Sequence, residues 1–119
     1  MKLTTATRKV DGVAVVDVTG RIILGEESAA LRQVVNDLIA SGDKKILLNL
    51  AHVDYIDSSG LGYLVSAFAT VKKQGGELKL LNLAVNVRDV MQITKLYIVF
   101  EIFEDEATAV KSFGKAAAA

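Results

Sequence analysis

The sequence contains no cysteine and no proline, and it has a single histidine, His52. Without cysteine the chain cannot form disulfides, zinc–thiolate sites or a thiol nucleophile. One histidine cannot build a histidine cluster, and a Ser-His-Asp triad would require His52 to fold back toward a serine without an evident orienting carboxylate. The absence of proline is compatible with a compact domain that lacks Pro-rich linkers.

The chain has no excess of charge of either sign. Its 14 basic residues balance its 14 acidic residues, and the basic residues do not cluster in a block. This argues against nucleic-acid binding, which depends on neutralising phosphates with Lys and Arg. No apolar run reaches the length of a membrane span, and the N-terminus lacks the charged-then-apolar pattern of a signal peptide. We therefore expect a cytoplasmic protein with no membrane insertion.

The 119 residues are 51% hydrophobic, which is typical of one domain with a real core. Two Val- and Thr-rich strands, over residues 3–10 and 13–19, flank Asp11-Gly12, a pair favoured in type I′ hairpin turns. Residues 20–25 are predicted to form a loop. Helices and strands then alternate, with helices opening near residues 26, 58, 85 and 104 and strands over 46–50, 78–81 and 99–103. This order predicts an α/β fold in which a small mixed sheet begins with a hairpin and continues as βα units, with helices packed around it.

The most informative stretch covers residues 53–76, VDYIDSSGLGYLVSAFATVKKQGG. An extended apolar segment ends in the turn Asp57-Ser58-Ser59-Gly60. A helix follows whose apolar residues fall on one face; these are Leu61, Leu64, Val65, Phe68 and Val71. Gly75-Gly76 then predicts the end of the helix, because glycine adopts the left-handed conformation without a Cβ penalty.

The turn at Asp57 to Gly60 has two interpretations. Free N–H groups and the positive end of the helix dipole collect there, so a serine could carry a phosphate or the turn could hold the phosphate of a ligand. Gly60 and Gly62 would keep the approach open. The simpler interpretation is that Asp57, Ser58 and Ser59 only cap the helix, since Asp and Ser are common capping residues. Spacing alone favours the simpler interpretation.

The segment IDSSGLG, preceded by KKILLNLAHVDY and followed by a helix that ends in GGELKLLNL, resembles the signature of STAS domains. The similarity extends over nearly the whole chain, and it is greatest to stand-alone anti-sigma-factor antagonists of the SpoIIAA type. The resemblance implies a SpoIIAA-like STAS fold as a single domain over residues 1–115, with residues 116–119 as a disordered tail. It also implies that Ser58 accepts a phosphate from a partner kinase.

By the same resemblance, the partner is an anti-sigma factor that is also a serine kinase of the histidine-kinase-like ATPase type, and it sequesters a sigma factor or another effector. The unphosphorylated antagonist would bind it and free the effector, and a serine phosphatase would regenerate that form. ATP and magnesium belong to the kinase, so this chain needs no cofactor. A phosphate on Ser58 would add a dianion that a closing partner surface must meet. The predicted partner-binding residues are Asp57, Ser59, Gly60, Leu61, Gly62, Ile22, Ile23 and Leu24.

The residues offer little for catalysis. There is no GxSxG nucleophile elbow and no P-loop, and the three acids at 104–106 are consecutive and do not converge on a metal. We therefore expect a binding protein and not an enzyme. In one respect the chain departs from the family, whose members often carry an acid in the loop after the second strand. Here that place holds Arg21-Ile22-Ile23-Leu24, which puts the identity of the partner in question.

Two other functions stay open at this stage. The chain could be a STAS domain that is never phosphorylated and serves as a structural subunit of a transport or stress-signalling assembly. It could also bind a nucleotide or a lipid headgroup at the helix start between Ser58 and Gly62. The sequence also leaves open whether Ser58 or Ser59 is the modified residue.

Overall fold

A computed structural model of the chain describes residues 3–113, except for the side chains of Glu26 and Glu27. The helices are α1 (Glu26–Ala40), α2 (Ser58–Lys73), α3 (Val85–Thr94) and α4 (Glu106–Ser112). The strands are β1 (Thr4–Val10), β2 (Val13–Ile22), β3 (Lys45–Ile56), β4 (Glu77–Leu81) and β5 (Ile102–Phe103). Within this described part, no helix is long and apolar enough to cross a membrane.

The five strands form one sheet in the order β1-β2-β3-β4-β5. The pair β1 and β2 is antiparallel, and every later pair is parallel, so the predicted mixed sheet is confirmed. Asp11 and Gly12 have φ angles of 48° and 83°, the left-handed pair that a type I′ hairpin turn requires. The hairpin predicted from the Asp-Gly pair is therefore confirmed.

The sheet is covered unequally on its two faces. The larger core lies between the sheet and α1, α2 and α3, and the predicted apolar stripes of α1 and α2 all contribute to it. A smaller core on the opposite face joins Ala109, Val110 and Phe113 of α4 to β2, β3 and β4. Because helices cover both faces there, residues 13–16 of β2 and 46–48 of β3 are buried throughout.

The prediction of a loop over residues 20–25 is wrong in its first half. Strand β2 continues through Ile22, which pairs with Ile56 at the end of β3. The parallel register shifts twice along this pair, once between Asp17 and Thr19 and once between Gly20 and Arg21. Each shift leaves an extra residue in β3 and bends the strand locally, as β-bulges do. The carboxyl ends of β2 and β3 therefore reach the start of α2 together.

The C-terminal third is less regular than predicted. A strand was expected over residues 99–103, but β5 contains only Ile102–Phe103. A 3₁₀ turn at Leu96–Ile98 precedes it, and the carbonyl of Leu96 accepts hydrogen bonds from Val99 and Phe100, so these residues cannot pair with β4. Helix α4 begins at Glu106 with Asp105 as its N-cap, and it buries Ala109 where Ala107 was predicted. The predicted tail at 116–119 lies outside the described residues.

Polar contacts hold α4 against the sheet. The ammonium of Lys79, which is 4% exposed, lies 2.9 Å from Ser112 Oγ and 3.0 Å from a carboxylate oxygen of Glu101. Near the other end of α4, Arg8 donates to Asp17 and to Glu106. These bonds lower the pKa of both carboxyl groups, with Arg8 as the main cause. The helix is thus fixed over the first half of β2.

Candidate functional site

The candidate site is the first turn of α2, and Asp57 defines its geometry. Asp57 has the extended backbone of an N-cap, with φ of −96° and ψ of 178°. One carboxylate oxygen, Oδ1, accepts the backbone N–H of Gly60 at 2.7 Å, and Oδ2 accepts that of Leu24 at 3.1 Å. The hydrogen bonds from Gly60 and then Leu24 lower the pKa of Asp57. The carboxylate therefore ties the helix start to the segment that follows β2.

Gly60 is required by packing, which differs from the open approach predicted for it. A Cβ built on Gly60 would lie 2.7 Å from the carbonyl carbon of Ile22 and 2.9 Å from its Cγ2, and closer still to the carbonyl oxygen. A Cβ on Gly62 would meet nothing within 4 Å. The two glycines thus have different roles, since Gly60 lets α2 approach the backbone of β2 and Gly62 leaves the outer surface clear.

Ser58 and Ser59 open α2, and both are exposed. Successive residues of an α-helix point about 100° apart, so the two hydroxyl groups face different sides of α2. Ser59 shares its side with Tyr63, four residues on, whose ring packs against the guanidinium of Arg32 in α1 at 5.2 Å. Burial raises the pKa of Tyr63 to about 12, so its phenol stays neutral near pH 7. The serine hydroxyls are therefore the accessible groups of this turn.

The predicted partner-binding residues do not all reach the surface. Leu24 is 72% exposed, Ser59 and Gly62 are exposed, and Asp57 and Ile23 are partly buried. Gly60 is buried, and the side chains of Ile22 and Leu61 are 0% and 8% exposed because both belong to the larger core. We therefore remove the side chains of Ile22 and Leu61 from the predicted contact surface. They shape the site from below.

The same edge of the sheet exposes two further large apolar side chains. Tyr55, next to the end of β3, is 50% exposed, and Val85, the first residue of α3, is 71% exposed. The side-chain amide of Asn86 donates to the carbonyl of Asp54 at 3.3 Å, which holds the start of α3 beside the end of β3. Val85 was missed by the sequence analysis. It falls off the stripe formed by Val87, Val90 and Met91, and that mismatch could have identified it.

The site has no features of a metal or cofactor centre. Within residues 3–113, no three His, Asp or Glu side chains lie close enough to hold a metal ion. Two surface grooves, of about 190 and 240 Å³, lie elsewhere, one beside Lys79 and Phe68 and the other beside Met91 and Tyr97. Both are smaller than the usual 300–1,000 Å³ of small-molecule sites. The arrangement is that of an exposed helix start suited to protein contact.

The hydrogen bonds of Asp57 predict a specific pH dependence of stability. The folded-state pKa of Asp57 is depressed, so its ionised form contributes stability that is fully present above the unfolded-state pKa and is lost as the pH falls through the folded-state value. Asp57→Asn keeps an acceptor for Gly60 N–H but offers Leu24 an amide donor. We expect it to be less stable than wild type at pH 7, with the difference shrinking below about pH 4.

Chemical denaturation of both proteins from pH 2 to 7 checks this prediction. Asp54→Asn, which removes an exposed carboxylate three residues earlier, is the matched control and should follow wild type. A stability difference between wild type and Asp57→Asn that stays constant down to pH 2 would show that the carboxylate charge contributes nothing.

Comparison with known proteins agrees with this geometry. The family model described as STAS domain matches residues 4–109. The chain is 29% identical to BtrV of Bordetella bronchiseptica, an anti-sigma factor antagonist by its name, over 95% of both proteins. It is 47% identical to the anti-sigma-B factor antagonist of Bacillus subtilis over 53 residues, which cover 44% of this chain and 49% of that protein.

Solved structures show the same fold. A Thermotoga maritima protein, named as an anti-sigma factor antagonist, aligns with a TM-score of 0.85 and 23% identity over 93% of this chain and 95% of its own. The Bacillus cell fate determinant SpoIIAA in its phosphorylated form aligns with a TM-score of 0.70 and 21% identity, over 92% and 98% of the two chains. These antagonists are binding proteins without enzymatic activity. The chain belongs to the STAS domain family, with the SpoIIAA-type fold and relatives named as anti-sigma factor antagonists.

Proposed function

We propose that this chain is a cytoplasmic anti-sigma-factor antagonist whose binding is switched by phosphorylation of Ser58. In the unphosphorylated state it binds an anti-sigma factor, which is also the serine kinase, and this binding releases a sigma factor or another effector. Phosphorylation of Ser58 ends the binding, and a serine phosphatase restores it. The observation that carries the proposal is the exposed Ser58 hydroxyl at a capped helix start with exposed apolar side chains nearby.

Two further observations support the switch. The names of the relatives supply the class of partner, an anti-sigma factor, and one similar structure is of a protein in its phosphorylated form. The helix start is also held by internal bonds, from Gly60 and Leu24 to Asp57, that do not involve the Ser58 side chain. A phosphate could therefore be added or removed without breaking the contacts that form the turn, and the predicted effect is loss of an interface with little refolding.

Phosphopeptide mapping of the protein from its native cells tests the proposal. Phosphate is expected on Ser58 in wild type and in Ser59→Ala, and it should be absent from Ser58→Ala. Phosphate on Ser59 alone would move the switch to the neighbouring residue. Absence of phosphate from both serines across growth and stress conditions would contradict the proposal and favour a STAS subunit that is never modified.

A further inference from the structure

Arg21 carries a buried donor that has no acceptor. It is the last residue but one of β2, and its backbone pairs with Tyr55 of β3. The Nε atom of its guanidinium is buried and has no hydrogen-bond partner in the structure. Buried polar atoms are nearly always paired, and a charged donor left without an acceptor is costly. Arg21 therefore points to an acceptor that comes from outside the described residues.

Arg21 faces the side of the sheet that α4 leaves open. Its neighbours Gly20 and Ile22 are buried, and Ile22 belongs to the larger core under α2. Since successive strand residues alternate between faces, Arg21 lies on the opposite face. Helix α4 covers that face only over the first half of β2. Farther along, His52 and Tyr55 are exposed on β3.

The other arginines do not share this condition. Arg8 donates to Asp17 and to Glu106, and the Arg32 guanidinium lies over the ring of Tyr63. Arg88 is exposed, so water can satisfy its donors. Arg21 alone among them combines a buried donor with the lack of an acceptor within the described residues.

We propose that Arg21 anchors a carboxylate side chain of the anti-sigma factor on this open face, so that the interface wraps around the edge of the sheet from Ser58. The inference rests on the proposed function for the identity of the partner. Arg21 is next to Ile22, whose carbonyl accepts the N–H of Asp57 at 3.3 Å, so one partner can reach both Arg21 and the helix start. The guanidinium fork of Nε and Nη matches the two oxygens of a carboxylate.

The surrounding charges favour a monoanion. Asp54 and Asp57 lie close along the chain at this end of β3, and a phosphate dianion would meet their repulsion with only one arginine in compensation. A carboxylate carries half that charge. Tyr55, which pairs with Arg21 and is half exposed, adds apolar surface that a protein side chain can cover.

Titration of the full chain with acetate, followed by NMR of the arginine Nε–Hε signals, tests the anchor without the partner. We expect the Arg21 signal to shift and saturate, while the signal of Arg8, already bound to Asp17, stays in place. The signal of Arg88 should drift weakly without saturating, as an exposed control. An Arg21 signal that behaves like that of Arg88 would overturn the proposal. Saturation by inorganic phosphate at lower concentration than acetate would overturn the assignment to a carboxylate.

A third titration separates an internal acceptor from an external one. If the Arg21 signal responds to acetate only in the Glu26→Gln/Glu27→Gln variant, a carboxylate of the chain itself fills the position, and the proposal fails. An equal response in this variant and in wild type supports it.

Binding of the anti-sigma factor gives the second readout. Arg21→Gln and Arg21→Lys should each weaken binding about tenfold or more, because the first removes the charge and the second removes the fork. Arg88→Gln should bind as wild type does. Wild-type affinity in both Arg21 variants, with binding that Ser58 phosphorylation still abolishes, would defeat this inference and leave the proposed function standing.

Discussion

Gly60→Ala is expected to destabilise the protein by about 3 kcal/mol, the upper part of the range for overpacked positions. The added methyl would lie 2.7 Å from the carbonyl carbon of Ile22. That carbonyl cannot move away cheaply, because β2 is paired with β3 through Ile22 and Ile56 and the Ile22 oxygen accepts the N–H of Asp57. Either α2 moves off the sheet or β2 loses its last pairing. The free energy of unfolding from chemical denaturation measures the effect.

Gly62→Ala is the matched control, because it adds the same methyl to the same helix two residues later. Nothing lies within 4 Å of that methyl. Replacing glycine by alanine inside a helix is favourable by up to about 1 kcal/mol, so this variant should be as stable as wild type or more stable. Equal stability of the two alanine variants would show that α2 does not need its close approach to β2.

The local features of this fold follow from the sequence because neighbouring residues decide them. The type I′ turn depends on Asp11 and Gly12 alone, and both adopt the left-handed conformation. The end of α1 depends on Gly42, whose φ of 87° lets Asp43 donate back to the carbonyl of Leu38. Asp57 was predicted as an N-cap from its place before the helical pattern, and it accepts from Gly60 as such a cap does.

The features that the sequence did not reveal depend on residues far apart in the chain. Whether residues 20–22 form a loop or a strand is decided by pairing with β3, more than thirty residues later. Gly60 looks like an open helix position until β2 is placed beneath it. The second hydrogen bond of Asp57 comes from Leu24, which no local pattern connects to it. The family resemblance supplied the fold, and the structure supplied these contacts.

The candidate site shows the same division. Exposure of Leu24 and burial of Ile22 could not be read from three consecutive apolar residues, since both would suit either position. Alternation along β2 settles it, because once the strand extends to Ile22 that side chain must face the larger core. The chain then turns away from the sheet, and Leu24 is left 72% exposed above the Ser58 turn. An exposed leucine beside a regulated serine is a contact that phosphorylation can control.

Ser58→Asp is expected to weaken binding of the anti-sigma factor about a hundredfold or more while leaving the fold intact. The new carboxylate would stand next to Asp57, whose own oxygens already accept N–H groups of the helix start. The added charge would therefore meet little internal compensation and would face the partner surface, where an uncompensated charge costs several kcal/mol. Ser58→Ala should bind as wild type does. Calorimetric titration with the anti-sigma factor measures the affinities.

Ser66→Asp is the matched control, because it adds the same charge to an exposed position of α2 two turns farther from the site. It should bind within a fewfold of wild type, which would separate a local effect at the turn from a general effect of charge. Circular dichroism and thermal unfolding should show all three variants folded, with the Ser58→Asp helix content unchanged. Phosphoserine should exceed aspartate in effect, since it carries about −1.5 to −2 charges at pH 7. Undiminished binding by both the aspartate variant and the phosphorylated protein would mean that the Ser58 turn lies outside the interface.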